Sequence, residues 1–158
     1  MNEQLKSAPA EAITRAFTDG SCHGNPGPGG RAYHYIRPDG STGQGSAHAP
    51  MTTNNREELA AAIDLLENLE PGERVHVHAD SQYLCKGCTE WIDDWKAKGW
   101  KNSSKKPVKN KDLWIRLDEL LQSRRVTFEH VKAHAGNPGN EHVDELANQA
   151  ALGEIIIK

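Results

Sequence analysis

Apolar residues recur three and four positions apart from Leu59 through Ala62, Ile63 and Leu66 to Leu69, between a polar start, TTNN, and the breaker Pro71-Gly72. That period predicts a helix capped by Asn54 or Asn55 and running to about Leu69. Residues 13–19 (ITRAFTD) have strand composition and run into GSCHGNPGPGG, whose glycines and prolines argue against continued helix or strand. Residues 31–36 and 41–48, joined by the turn Arg37-Pro38-Asp39-Gly40, read as a hairpin, which with the first strand makes three antiparallel neighbours. Over residues 74–80, Val75, Val77 and Ala79 alternate with His76, His78 and Asp80, the two faces of one strand. Residues 81–88 and 89–98 read as two short helices broken near Gly87, and residues 112–122 as a helix with Leu113, Leu117, Leu120 and Leu121 inward. Residues 125–132 form a strand, 133–140 a loop, and 141–152 a last helix with Val143, Leu146, Ala147 and Ala150 inward. Strands come first and then alternate with helices, which implies an α/β chain with a mixed sheet flanked by helices.

At 158 residues the chain suits one domain, burying roughly 68–70% of the surface its unfolded form exposes. Residues 1–12 carry Glu3, Lys6 and Glu11 and no apolar run of signal-peptide length, so they read as an extension without fixed structure. The run 155–157 is far short of the ~20 apolar residues that span a bilayer, so a soluble, cytoplasmic protein without a membrane partner is expected. Cys22, Cys85 and Cys88 make an odd set in such a chain and are expected as reduced thiols. Cys85 and Cys88 form a C-x-x-C without a second pair at zinc spacing, which favours idle thiols over a redox or zinc site. The net charge of −3 hides a block: seven lysines and no acid lie between Trp95 and Lys111, and without them the chain carries −10. A basic projection on an acidic body is the expected charge pattern.

Two adjacent glutamates open the first predicted helix, and helical phase separates them. With about 100° per residue and Leu59 at zero, the apolar arc centres near roughly −30°, Glu58 falls near roughly −100°, and Glu57 near roughly +160° beside Asp64 and Asn68. Glu57 is therefore expected in water and tolerant of replacement. Glu58 sits at the apolar edge, where an unpaired carboxylate is costly, and needs a partner. Asp19 and Asp80 end two strands, and Asp144 lies in the first turn of the last predicted helix. Sites collect at strand ends where chains diverge, so these acids can converge on one point. Their mutual repulsion is resolved by a divalent cation that favours hard oxygen ligands, for which Mg²⁺ is the natural candidate.

The segments FTDGSCHGNPGPGG, TTNNREELAAAI, ADSQY, WKAKGWKNSSKKPVKNKDLW and VKAHAGNPGNEHVDELA resemble, in order and spacing, the type 1 ribonuclease H of bacteria. The resemblance covers residues 13–152. It implies a ribonuclease H-like fold, with a five-stranded mixed sheet (three antiparallel strands, then two parallel) flanked by helices on both faces. It implies one ribonuclease H domain over 13–152, with a basic protrusion at about 89–111 and a short tail over 153–158. The implied activity is endonucleolytic hydrolysis of the RNA strand of RNA–DNA hybrids by a monomer. Asp19, Glu58, Asp80 and Asp144 match the metal-binding carboxylates, with Asp19 bridging two ions, Glu58 and Asp80 on one side and Asp144 on the other. Two Mg²⁺ ions, with Mn²⁺ as a substitute, would hold the attacking water and the departing 3′-oxygen in line, giving 5′-phosphate and 3′-hydroxyl ends. His134 matches a loop histidine that accepts a proton or helps product leave. Alanine at position 133, where the family has glycine, leaves that loop fewer backbone options.

The resemblance also assigns a substrate surface. The protrusion, with Lys96, Lys98, Trp100, Lys101, Lys105 and Lys106, grips the DNA strand; Trp91 lies against deoxyribose, and Thr53 with Asn110 holds a DNA phosphate. Cys22, Asn25, Asn54, Asn55 and Gln82 match positions near the minor groove, where 2′-hydroxyls distinguish RNA from DNA. Trp95 and Trp114 are expected to package the projection. Two rivals rank lower. A hybrid-binding module without catalysis would lack one of the four acids, and a transposase-like domain of the same superfamily would lack TTNNR and the basic block.

Overall fold

The computed structural model describes residues 12–153, so the expectations for the chain up to residue 11 and for the run 155–157 lie outside the described residues. Five strands, β1 (Thr14–Cys22), β2 (Gly27–Ile36), β3 (Thr42–Thr52), β4 (Arg74–Ala79) and β5 (Arg125–His130), form one sheet in the order β3-β2-β1-β4-β5. β2 runs antiparallel to β1 and β3, while β4 runs parallel to β1 and β5. The three antiparallel strands and the mixed sheet are those expected from the order of elements along the chain, and the full three-plus-two pattern is the one the resemblance implies.

Alternation along the central strands divides the core between two faces. Ala16, Val75 and Val77 are buried with Leu59, Ala62 and Leu66 of α1 (Asn54–Glu67). The same cluster takes in Leu84 of α2 (Gln82–Lys86), Ile92 of α3 (Ile92–Ala97), and Trp114, Leu117 and Leu120 of α4 (Lys111–Gln122). On the other face Phe17 and Ala32 pack against Val143 and Ala147 of α5 (Pro138–Leu152), which lies over β1, β2 and β3. None of the described helices is long and apolar enough to cross a membrane.

Four local expectations are corrected. β1 continues to Cys22 and β2 begins at Gly27, so much of the glycine-proline run is strand. Its glycines permit close approach rather than breaking the strand: a Cβ on Gly30 would collide with the backbone of Ala147, Ala150 and Ala151 in α5. The cap of α1 is Thr53, whose Oγ1 accepts from the Arg56 N–H at 3.2 Å, while the Asn54 N–H donates to Asn25 Oδ1 at 2.9 Å. The break near Gly87 is a single π-helical turn, Gly87–Trp91, joining α2 to α3, and a Cβ there would strike the Trp114 ring. The last helix starts at Pro138 with Asn137 as its cap, so Asp144 lies beyond the first turn and gains little from the helix dipole.

Replacing Gly30 with alanine is expected to cost about 1–3 kcal/mol in urea unfolding, because α5 backbone rather than a flexible side chain must move. A loss below about 0.5 kcal/mol, the range of an ordinary surface change, would contradict this packing.

Candidate active site

Four acidic side chains reach one cleft from four elements. Asp19 stands on β1, Glu58 in the first turns of α1, Asp80 directly after β4, and Asp144 on α5. Asp19 and Glu58 are 3% and 4% exposed, and a carboxylate oxygen from each of Asp19, Glu58 and Asp80 lies within 4.8 Å of the others. Asp144 lines the same cleft, of about 470 Å³, near enough for its charge to act on Asp19. Gly20 makes the meeting possible, since a Cβ there would overlap the backbone of Glu57 and Glu58.

Burial pushes the Asp19 carboxyl up to about 10, and the neighbouring Glu58, Asp80 and Asp144 push in the same direction. Glu58 is likewise raised well above the usual carboxylate range, by burial first and then by Asp80, against hydrogen bonds from the Gly20 backbone and Asp19. Among the described residues Glu58 Oε1 is buried without a hydrogen-bond partner. An acceptor left empty in that way, beside two more carboxylates, is a donor set suited to a hard divalent cation. Asp19, Glu58 and Asp80 can hold such an ion directly, with Asp144 at the edge.

The RNase H family profile matches residues 11–152. The chain belongs to the ribonuclease H family. It is 53% identical over 136 residues to the ribonuclease H of Escherichia coli, covering 86% of this chain and 87% of that protein, and the figures are the same for the ribonuclease H of Shigella boydii. Among solved structures it resembles LC9-RNase H1, a type 1 RNase H with the type 2 active-site motif. The TM-score is 0.80 at 32% identity, over 90% of this chain and 73% of that one. It also shares its fold with LC11-RNase H1, solved in complex with an RNA/DNA hybrid, at a TM-score of 0.68 and 24% identity, over 90% and 99% of the two chains.

In this ribonuclease H the expectation for Glu57 fails. Glu57 is 3% exposed, accepts from Thr52 Oγ1 at 2.9 Å and pairs with Arg31 Nη1 at 3.3 Å. Arg31 also reaches Asp64 at 2.6 Å. The computed phase was sound, placing Glu57 beside Asp64 and away from Glu58. The error lay in leaving that side of the helix to water, when Arg31 of β2 and Thr52 of β3 cover it.

The remaining expected residues fall into three groups. Cys22, Asn54, Asn55 and Gln82 line the acidic cleft. Asn25, Thr53 and Asn110 line a second cleft of about 330 Å³ together with Asn54 and Asn55, which therefore belong to both. The projection forms the third group: Trp91, half-buried, meets Tyr83 edge-on at 6.0 Å, and Trp95 packs on the fully buried Trp114 at 5.2 Å. Trp100 is half-buried against the core. Lys101, Lys105 and Lys106 are exposed, whereas Lys96 pairs with Asp118 at 3.3 Å and Lys98 with Asp94 at 3.1 Å. His134 is exposed and stands apart from the residues lining the acidic cleft, where Ala133 is found instead. The loop's left-handed residues are His134 (φ 57°) and Gly136 (φ 84°), so Ala133 occupies no position that demands glycine.

Tyr83 was missed. Its hydroxyl accepts from Trp114 Nε1 at 3.0 Å and from Asn110 Nδ2 at 3.1 Å, joining the acidic cleft to the second one. The segment ADSQY contained it, but a lone tyrosine carries no spacing signal. The thiols are free, and burial pushes Cys85 up to about 11 and Cys88 higher still, so both stay protonated at neutral pH.

A raised carboxylate binds its proton more tightly in the folded state. The contribution of Asp19 to stability is thus fully present below its ordinary 3.8 and is lost as pH climbs toward about 10. Without metal, Asp19→Asn is expected to melt a few degrees above the parent at neutral pH, with a margin that widens through that window. Mg²⁺ should narrow the gap by raising the parent alone. Equal melting temperatures at every pH would show that the acids do not strain one another.

Proposed function

We propose that this ribonuclease H is an endonuclease that hydrolyses the RNA strand of RNA–DNA hybrids, leaving 5′-phosphate and 3′-hydroxyl ends. The observation that carries the reading is a trio of carboxylates within 4.8 Å of one another, two of them buried and one of those with an orphaned oxygen, at the floor of a cleft open to solvent. Asp19, Glu58, Asp80 and Asp144 would hold two Mg²⁺, with Mn²⁺ as a substitute. Such ions, when bound, supply positive charge to the attacking water and the departing 3′-oxygen.

The chain's own residues would deliver the hybrid to that point. Asn54 and Asn55, at the rim of both clefts, offer amides that donate to and accept from 2′-hydroxyls, with Cys22, Asn25 and Gln82 beside them. Thr53 and Asn110 would take a DNA phosphate in the second cleft. Lys101, Lys105 and Lys106 would track the DNA backbone, Trp91 would lie against a deoxyribose, and Lys96, Lys98 and Trp100 would support the protrusion. His134, on its exposed loop, would accept the proton of the water or assist product departure. The hybrid bound by LC11-RNase H1 supports this class of substrate. We read residues 13–152 as one catalytic domain, acting as a monomer in the cytoplasm.

Labelled RNA–DNA hybrid, RNA duplex and DNA duplex, each with Mg²⁺ or EDTA, test the reading: only the hybrid's RNA should be cut, and only with Mg²⁺. Binding without cleavage would favour the hybrid-binding alternative, and cutting of either duplex would overturn the substrate. Glu58→Gln should remove most cleavage while keeping the fold. Glu57→Gln should retain cleavage and lose about 1–3 kcal/mol of stability, because its Thr52 and Arg31 partners are left unsatisfied. Replacing Lys101, Lys105 and Lys106 with alanine should raise KM, leave kcat nearly unchanged, and flatten the salt dependence of binding by about three phosphate contacts' worth. A kcat loss with unchanged KM would remove the lysines from substrate binding.

A further inference from the structure

His76 and His78 of β4 and Glu129 of β5 project from one face of the parallel pair, His76 opposite Thr127 and His78 opposite Glu129. One donor atom from each of the three lies within 4.8 Å of the others. Glu129 Oε1 stands 2.9 Å from His76 Nε2 and 3.7 Å from His78 Nδ1. The two imidazoles meet edge to face with centroids 4.8 Å apart.

Two features distinguish this group from an ordinary surface ion pair. His78 is 8% exposed, packed flat against Phe17 at 4.8 Å, and among the described residues neither of its ring nitrogens has a hydrogen-bond partner. A buried imidazole with two orphaned nitrogens, one turned toward a carboxylate too distant to bond it, is an unexplained cost. His76 also has its second nitrogen placed: Nδ1 lies 2.6 Å from Thr127 Oγ1. In the tautomer that donates Nδ1–H to Thr127, the Nε2 lone pair faces the Glu129 oxygen at 2.9 Å, a repulsion that a cation held by both relieves, and this is the arrangement by which outer partners orient metal-bound histidines.

We propose that His76, His78 and Glu129 form a second cation site, for a borderline-soft divalent ion of the zinc class, distinct from the acidic cleft. Two imidazole nitrogens and one carboxylate oxygen suit zinc rather than magnesium. Zinc bonds of about 2.0–2.2 Å in a tetrahedron put donors about 3.3 Å apart, between the two separations seen from Glu129. His76 and Glu129 keep 31% and 55% of their side-chain surface exposed, so a fourth position faces water and an entry path exists. Arg15, paired in register with His76, is the nearby cation that opposes binding, and the Glu129 carboxylate offsets it. The Cys85 and Cys88 thiols do not compete, because burial keeps them protonated. An ion here would tie β4, which delivers Asp80, to β5, which leads into the His134 loop.

The test needs no nucleic acid. Metal-stripped full-length protein is titrated with Zn²⁺ by calorimetry, and with Co²⁺ by visible absorption, for the parent, His76→Gln, Glu129→Gln, Thr127→Val and Glu58→Gln. One Zn²⁺ per chain is expected in the parent and in Glu58→Gln, with the intense Co²⁺ bands of a tetrahedral site. Affinity should fall at least about tenfold in His76→Gln and Glu129→Gln, and about 10–100-fold in Thr127→Val, where all three ligands remain. His76 and Glu129 are exposed enough for their variants to stay folded, which circular dichroism verifies. Zinc affinity unchanged in those two variants, or lost only in Glu58→Gln, would overturn the site.

Discussion

The first turn of α1 rests directly on the backbone of β1 and β2, and the rest of the site follows from that contact. Glycine at position 20 leaves no side chain between sheet and helix, since a Cβ there would overlap the backbone of Glu57 and Glu58, and at Gly29 a Cβ would strike Thr52 and the Ser21 carbonyl and crowd the Glu57 side chain. At that separation two consecutive glutamates are both buried, about 100° apart around the helix. Glu57 turns toward Arg31 and Thr52 and anchors the helix to β2 and β3, while Glu58 turns toward Asp19 and Asp80. The anchor is satisfied in the protein alone, and Glu58, with one oxygen unpartnered among the described residues, is not.

That asymmetry is the functional content of the cleft. A carboxylate whose partners are Arg31 and Thr52 stabilises the fold, whereas carboxylates whose nearest neighbours are one another destabilise it until a cation arrives. The same helix start also shapes a second cleft, because Thr53, Asn54 and Asn55 precede the glutamates and line it. Tyr83 joins the two sides: its hydroxyl holds Asn110 and Trp114, so the base of the lysine projection is tied to the wall of the acidic cleft.

Much of this was legible in the sequence. Asp80 could be placed at a strand end because it closes a run of strand composition, and Glu58 could be separated from Glu57 because helical phase is a local property; Asp19 falls on the expected strand but inside it, since β1 runs on through Gly20 and Ser21 to Cys22. The order of strands and helices was enough for a mixed sheet. What failed was non-local. Burial of Glu57 depends on Arg31, twenty-six residues earlier, lying across the helix start. Gly30 reads as a turn former until α5, more than a hundred residues later, is seen pressed against it. Thr53, rather than either asparagine, caps α1 by accepting from the Arg56 N–H, and Asn25 of the distant β1–β2 connection takes the Asn54 N–H. The exposed position of His134 depends on a loop whose path no periodicity encodes.

The central claim is that Asp19 and Glu58 hold protons that a bound cation displaces. Calorimetric titration of the metal-free protein with Mg²⁺ at neutral pH, in buffers of different ionisation enthalpy, counts those protons directly. Burial and mutual repulsion predict release of roughly one to two protons per chain as Mg²⁺ binds, and fewer from Asp19→Asn, which keeps only the Glu58 proton. Binding of Mg²⁺ with no proton released from the parent would contradict it, because the acids would then already be ionised in the metal-free protein.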